Sequence, residues 1–267
     1  MAPQQLNAAR RFGGLNRLYG EGSVERLQAA HIMIAGIGGV GSWCAEALAR
    51  SGVGQLTLID LDHVSESNIN RQLPALSSTV GQAKVQAMQT RIADINPDCV
   101  VNTVDDFIGP DNVSQLLAVR PDVLIDCTDQ AEAKIAMILE AKRTKTKTFI
   151  CGAAGGKTNA LALKRGDLSL STHDALLAKI RNKLRKDYGF AKVQPKQNQR
   201  PARIPKMGVE VFWVEQNAVL PSAWQREAST QAPQGLSCAG YGSSVTVTAP
   251  MGFAVAQAAL DYLVTKR

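Results

Sequence analysis

The residues able to do chemistry in this chain stand where apolar runs end. Gly36, Gly38, Gly39 and Gly41 follow the run His31–Ala35 at once. Asp60 closes the run Gln55–Ile59, with Asp62 beside it, and Asp126 closes Val123–Asp126, with Asp129 three residues on. Between these acids lie a polar cluster (Asn68, Asn70, Arg71, Gln72) and then Lys84. Glycines let a backbone turn tightly and approach a phosphate with no Cβ in the way. A helix starting just after them offers unpaired N–H groups and the positive end of a dipole. Asp60, 24 residues beyond Gly36, can accept hydrogen bonds from a ribose diol. The pattern points to a nucleotide without saying which one.

The polar cluster at 68–72 is too dense for a core, so it is exposed or ligand-bound. Lys84 sits near the start of an expected helix, Val85 to Ile95, where a cation opposes the dipole. A phosphate contact would account for it; an exposed, solubilising lysine is the alternative. Magnesium takes one or two carboxylates plus substrate phosphates. One of Asp126 and Asp129 is therefore a candidate ligand. The alternative for Asp129 is a cap on the helix Ala131–Arg143, and both roles can hold for different oxygens.

Periodicity supplies the elements that position these groups. A short helix around Val24–Gln28 leads into the first strand. The glycine turn is followed by a helix, Val40 to Arg50, and strands are expected at 55–59, 99–104, 123–126 and 148–151. A short helix covers 113–119, and the last of these strands runs into GAAGGK at 152–157. Residues 158–163 alternate weakly and read as a further strand, 175–184 as an amphipathic helix, and 209–214 as a late strand. The apolar segment 245–264 reads as a packing helix with Pro250 in its first turn. Its Pro, Gln257 and Asp261 make a membrane span the minority reading.

Bulk properties narrow the class. With 267 residues, 45% of them hydrophobic, the chain can bury a full core. The 30 Lys and Arg against 23 Asp and Glu give +7, which favours an anionic partner. Ten of those cations and one acid, Asp187, fall between 179 and 206, a local charge of +9. Such a run, with its Pro- and Gln-rich part at 192–203, suits the phosphates of an RNA; a solvated surface is the alternative. The five cysteines form no CxxC pair, which argues against a four-cysteine zinc site and a disulfide framework. Cys44, Cys99, Cys127 and Cys151 stand in apolar surroundings and read as inert core residues. The first residues lack the apolar core of a signal peptide, and a reducing cytoplasm fits.

Together, GIGGVGSW, Asp60 and Asp62, the 68–72 cluster, Lys84 and the Asp126–Asp129 strand end resemble the E1-like adenylating superfamily, the ThiF/MoeB/HesA group. RRFGG and RLYG near the start, the run at 104–113, GAAGGK, the basic stretch and LSCAGYG extend the resemblance to nearly the full length, toward its tRNA-modifying branch. The resemblance implies an α/β, Rossmann-like fold whose mixed sheet has a parallel half, an antiparallel extension and flanking helices. It implies one domain over 1–267, with a nucleotide-binding half at about 29–160, a basic flexible segment at about 179–206 and a C-terminal strand and helix at about 207–267.

It also implies roles. Gly36, Gly38, Gly39 and Gly41 hold the phosphates of ATP, Asp60 binds its ribose with Asp62 alongside, and Asn70, Arg71 and Lys84 bind the triphosphate. Asp129, aided by Asp126, binds Mg²⁺. Arg11 matches an arginine that relatives insert into the neighbouring subunit's site, which implies a homodimer. The implied reaction is adenylation of the carboxylate of N6-threonylcarbamoyladenosine at tRNA position 37, then ring closure, in a cytoplasmic enzyme. A cysteine desulfurase with its sulfur acceptor are further implied partners. The alternative is activation of a ubiquitin-like sulfur-carrier protein. Relatives of that kind carry two CxxC zinc pairs, so no structural zinc is expected here. Cys238 is the candidate for their thioester cysteine.

Overall fold

The computed structural model describes residues 8–192, 204–220 and 241–265. Seven strands form one sheet: β1 His31–Ala35, β2 Gln55–Ile59, β3 Val100–Val104, β4 Val123–Asp126, β5 Lys147–Cys151, β6 Leu163–Asp167 and β7 Glu210–Val214. Their order is β3-β2-β1-β4-β5-β7-β6. All neighbours are parallel except β6 and β7. This is the mixed sheet expected, with the antiparallel extension at one edge.

β1, β2, β4, β5 and β7 bury because they are largely apolar runs, as strands covered on both faces require, while the edge strands β3 and β6 are more polar and more exposed. Nine helices among the described residues flank it: α1 Ala8–Phe12, α2 Gly14–Tyr19, α3 Ser23–Ala29, α4 Gly41–Arg50, α5 Lys84–Ile95, α6 Val113–Leu117, α7 Ala131–Thr144, α8 Ala175–Asp187 and α9 Val245–Thr265. Ile32 and Ile34 of β1 pack with Cys44 and Leu48 of α4, Met88 of α5 and Met251 and Val255 of α9. Met33 and Ala35, on the opposite pleat, pack with Leu117 of α6 and Met137 of α7. Successive connections run outward from β1 to β2 and β3, then return to β4 on its other side. Ligands of open α/β sheets bind in the crevice at such a switch point, outside the carboxyl ends of the strands.

Two expectations are corrected. Residues 158–163 are not a strand: Asn159 Oδ1 accepts the Leu161 amide at 3.0 Å, closing a 3₁₀ turn over Ala160–Ala162, and β6 begins only at Leu163. The weak alternation came from a turn whose Leu161 is 95% exposed. Pro250 is not in a first turn; it lies five residues inside α9, where its missing N–H leaves the Thr246 carbonyl without its helical partner.

The 21 residues of α9 are long and apolar enough to cross a membrane, yet 61% of the most apolar window is buried inside this fold. Gly252 explains the fit. A Cβ there would lie 2.5 Å from the Val40 oxygen and 3.0 Å from the Cys44 nitrogen. The helix thus lies directly against the turn that opens α4. Gly252→Ala therefore forces α9 off that turn. Overpacking of this kind costs about 1–3 kcal/mol, read as a lower thermal midpoint accompanied by weaker ATP binding; unchanged melting would contradict the contact.

Candidate active site

The glycine turn owes its shape to close backbone contacts. Gly36 has φ +86°, and a Cβ on it would meet the Cys127 carbonyl carbon at 2.8 Å. A Cβ on Gly41 would lie 1.8 Å from the Gly36 oxygen. Gly41 therefore packs the turn and, unlike the other three glycines, is not among the residues lining the crevice. Gly36, Gly38 and Gly39 do line it. Gly36 N–H donates to Ile59 O at 2.8 Å and Ile37 N–H to Asp60 Oδ2 at 2.6 Å. Among the described residues the amides of Gly38 and Gly39 have no acceptor. Both glycines are half-buried and line the crevice, so their N–H groups are open to a ligand there.

The crevice holds about 530 Å³. At one end, Asp60 ties β2 to the glycine turn through Ile37 and also accepts the Asp62 amide at 2.9 Å. Burial pushes its carboxyl upward, against the pull of Lys84 and the two amides. The Lys84 ammonium is buried, 2.7 Å from Asp62 and 4.0 Å from Asp60. Its place at the start of α5 is therefore offset by two acids, and it still lines the crevice. Arg71 lines it too, with Nη1 bonded to Ser67 O at 2.7 Å and Asn70 Oδ1 at 2.9 Å. Trp43 and Thr248 donate to the Arg71 carbonyl at 3.0 and 3.3 Å, so α4 and α9 both fix this residue. Asn70 itself turns away: its amide donates to Ser243 O at 2.7 Å, and Asn68 and Gln72 take its place in the crevice wall. Gln72 is 7% exposed, and its Oε1 has no partner.

The two acids at the end of β4 separate completely. Asp129 lines the crevice, exposed, with no hydrogen bond or ion pair among the described residues. It does not cap α7, whose N-cap is Gln130. Asp126 is not a crevice residue, which corrects the expectation that it helps hold a metal. It is 0% exposed and lies 3.0 Å from the equally buried Lys134. Its Oδ1 also accepts from the Thr128 amide and hydroxyl at 2.9 and 2.8 Å. Burial pushes the Asp126 carboxyl upward, and Lys134 opposes the shift. Lys134 Nζ donates in addition to Cys151 O at 2.8 Å, so one ammonium joins the ends of β4 and β5 to α7. Nothing in the sequence singled it out: it is the fourth residue of α7, set between Ala133 and Ile135.

Other expected residues fall as follows. Arg11 does not reach the crevice within its own chain; its Nη1 donates to Ile95 O at 2.6 Å, at the carboxyl end of α5. Cys238 lies outside the described residues. Cys127 and Cys151 have sulfurs 3.8 Å apart, and burial raises the Cys44 thiol. Cys127 is raised by its contact with Cys151 and by burial, and half-buried Cys99 is pushed up to about 11. Thiols so disfavoured as thiolates are poor nucleophiles, in keeping with core roles. Two further wall elements are Asp106–Ile108, of which no role was expected, and the loop Gly152–Gly155, a small-residue turn expected to leave room for a ligand or backbone. Asp174, the N-cap of α8, fixes that loop by accepting Ala153 N–H at 2.8 Å.

A family model described as the ThiF family matches residues 12–267. The chain belongs to the ThiF family. Among relatives, a tRNA threonylcarbamoyladenosine dehydratase of Haemophilus influenzae is 43% identical over 262 residues, 98% of this chain and 96% of the relative. The Escherichia coli enzyme of the same name is 40% identical, covering 96% of this chain and 94% of the relative. Crystal structures of the E. coli dehydratase with AMP and with ATP superpose with TM-scores of 0.83 and 0.82 at 39% identity, each covering 97% of this chain and 96% and 95% of theirs. Molybdopterin-synthase adenylyltransferase of Salmonella typhimurium is 38% identical over 110 residues, 41% of this chain and 44% of the relative.

The buried ion pair generates a sharp expectation for this ThiF-family chain. Lys134→Met leaves Asp126 charged and unpaired, which costs about 3–5 kcal/mol in such sites. The double variant Asp126→Leu with Lys134→Met should recover at least half of the loss in a denaturant titration. Equal stability of the two variants would show that the pair is not coupled.

Proposed function

We propose that the chain is an ATP-dependent dehydratase acting on N6-threonylcarbamoyladenosine at tRNA position 37. One observation carries the reading: similarity to dehydratases of that name runs over 98% of this chain and 96% of the relative, whereas similarity to molybdopterin-synthase adenylyltransferases covers 41% to 49% of it. The geometry supports it with two cations, Lys84 and Arg71, and free turn amides around one crevice.

A carboxylate is a poor electrophile. Attack of its oxygen on the α-phosphorus of ATP expels pyrophosphate and leaves an acyl-adenylate. A neighbouring group of the same modified side chain then attacks the acyl carbon. The C–O bond to AMP breaks, the ring closes, and the oxygen lost as water overall departs on AMP. The chain's task is to hold the reacting groups in line and neutralise phosphate charge. Because the second attack is intramolecular, orientation does most of the work, and no acid–base dyad is needed. Asp60 would hold the ribose, the Gly38 and Gly39 amides the phosphates, and Lys84 and Arg71 the charge that leaves. Asp129, unpaired and facing the crevice, fits a Mg²⁺ ion carried in with the nucleotide, since such an ion needs only one or two protein carboxylates. The described residues contain no group of three or more metal-binding side chains. Bound there, Mg²⁺ would offset pyrophosphate charge.

The RNA would lie along α8. Its first turn lines the crevice through Leu176, and the helix and the residues after it carry exposed Lys179, Lys186 and Lys192. Arg181 and Arg185 contribute less, because they already bind Ser171 O at 2.7 Å and Ala191 O at 3.0 Å. Lys196, Arg200 and Arg203 lie outside the described residues. A homodimer and a cytoplasmic location belong to the same reading.

Pyrophosphate release from ATP tests it. Release should require tRNA bearing the threonylcarbamoyl group, and tRNA lacking that group should give only background. Lys84→Ala and Asp129→Asn should each lower kcat about 10²-fold or more, the scale of losing one group that stabilises transition-state charge. Lys179→Ala with Lys186→Ala should instead raise KM for tRNA and flatten its salt dependence. Release that ignores the modification would overturn the reading.

A further inference from the structure

We infer that the main-chain amides of Ala154 and Gly155 form the seat for the carboxylate that this crevice activates, a proposal that rests on the adenylation reading above. Both residues line the crevice and both are buried, Ala154 to 6% exposure. Among the described residues neither N–H has an acceptor. Their neighbours do: Gly152 N–H donates to Phe212 O at 2.7 Å, Ala153 N–H to Asp174 Oδ2 at 2.8 Å and Gly156 N–H to Gly242 O at 2.9 Å. Two donors are thus left open between anchored flanks.

Chance does not readily leave donors in that state. A buried N–H without an acceptor costs free energy, and here the loop is held from every side. Lys134 binds Cys151 O at 2.8 Å. Lys157, itself buried, donates to His173 O at 2.7 Å and to Gln216 O. The Val219 amide donates to Gly156 O at 2.7 Å. A loop so tied cannot relax to satisfy its own amides, so they face the crevice, open to water or to a ligand that displaces it. Gly38 and Gly39, half-buried at the turn after β1, likewise have no acceptor among the described residues.

Position selects the ligand's class. The phosphate turn follows β1 and the Ala154–Gly155 loop follows β5, with β4 and Asp129 between them. Adjacent strands lie about 4.8 Å apart, so the two loops leave the sheet from strands about 10 Å apart. That exceeds the reach of one phosphate. It suits the group joined to the α-phosphate on the side away from the ribose acid Asp60, which is the acyl group. Two adjacent N–H groups first bind the substrate carboxylate. During ring closure they meet the acyl oxygen on which charge develops, as an oxyanion hole does.

The experiment compares Ala154→Pro, which deletes one N–H, with Ala154→Gly, which keeps it. Wild type is first assayed for pyrophosphate release with modified tRNA; no release there would sink the adenylation reading itself, independently of the variants. Given release, Ala154→Pro should keep its ATP dissociation constant within about twofold and lose about 10²-fold in kcat. Ala154→Gly should stay near wild type. Equal turnover by the two variants overturns the seat. Should Ala154→Pro fail to fold, wild type labelled with ¹⁵N-alanine and saturated with AMP is titrated with the threonylcarbamoyladenosine nucleoside and with its methyl ester. A shift of the Ala154 amide with the acid alone supports the seat; no shift, or equal shifts with both, overturns it.

Discussion

An N–H at the carboxyl edge of a parallel sheet is answered by the next turn of chain, by water or by a ligand, because an unanswered buried amide is too costly to keep idle. That constraint organises this molecule. The turn after β1 answers some donors with Ile59 O and the Asp60 carboxylate and leaves those of Gly38 and Gly39 open. The loop after β5 repeats the arrangement with Phe212 O, Asp174 and Gly242 O at its flanks. Glycine and alanine occupy these places because larger side chains would collide: a Cβ on Gly152 would lie 2.2 Å from Asp174 Oδ2.

Keeping donors open requires that the backbone carrying them not move, and buried charge supplies much of the restraint. Asp60 fixes the first turn, while Lys84 balances it from α5. Lys134 joins β4, β5 and α7. Glu46 of α4 does the same on the outer layer, accepting from Arg50 at 2.8 Å and Arg91 at 2.7 Å, which holds its carboxyl below the usual range once burial is offset. Pairs of this kind add less to net stability than their charges imply, since desolvation consumes most of the attraction. Their return is a fixed geometry.

Much of this was legible in the sequence where the signal is local. Glycines beside an apolar run, an acid at a strand end and a helix period all report backbone conformation, which neighbours in sequence decide, so the sheet and its switch point could be placed. The errors arise where the third dimension decides. Asp126 and Asp129 are three residues apart and look equivalent. One closes a strand and turns beneath the sheet edge to meet Lys134, which is eight residues away in a different element; the other enters the loop and faces the crevice. Asn70 and Gln72 read alike in the polar cluster, yet Ser243 O captures one and the crevice keeps the other. Pro250 resembled a helix start because apolar residues around it obscure where α9 begins, at Val245. The open amides of Ala154 and Gly155 leave no trace in residue type at all, since any residue except proline carries an N–H.

An intramolecular ring closure asks the crevice for orientation more than for proton transfer. When attacking and leaving groups are both supplied by the substrates, the protein contributes orientation, and a displacement of about 1 Å can cost as much as a lost catalytic group. Residues far from the reacting atoms therefore acquire leverage. Gly252 sets how closely α9 presses on the turn before α4, and Thr248, on the same helix, would lie 3.0 Å from a Cβ on Gly39. Asp174 and Lys157 set the loop after β5 from the opposite side. The two open pairs of donors are held by different elements, and only the sheet between them keeps their separation. The link from sequence to function in this chain runs through that separation, which is why a buried lysine in the first turn of α7 bears on chemistry it never touches.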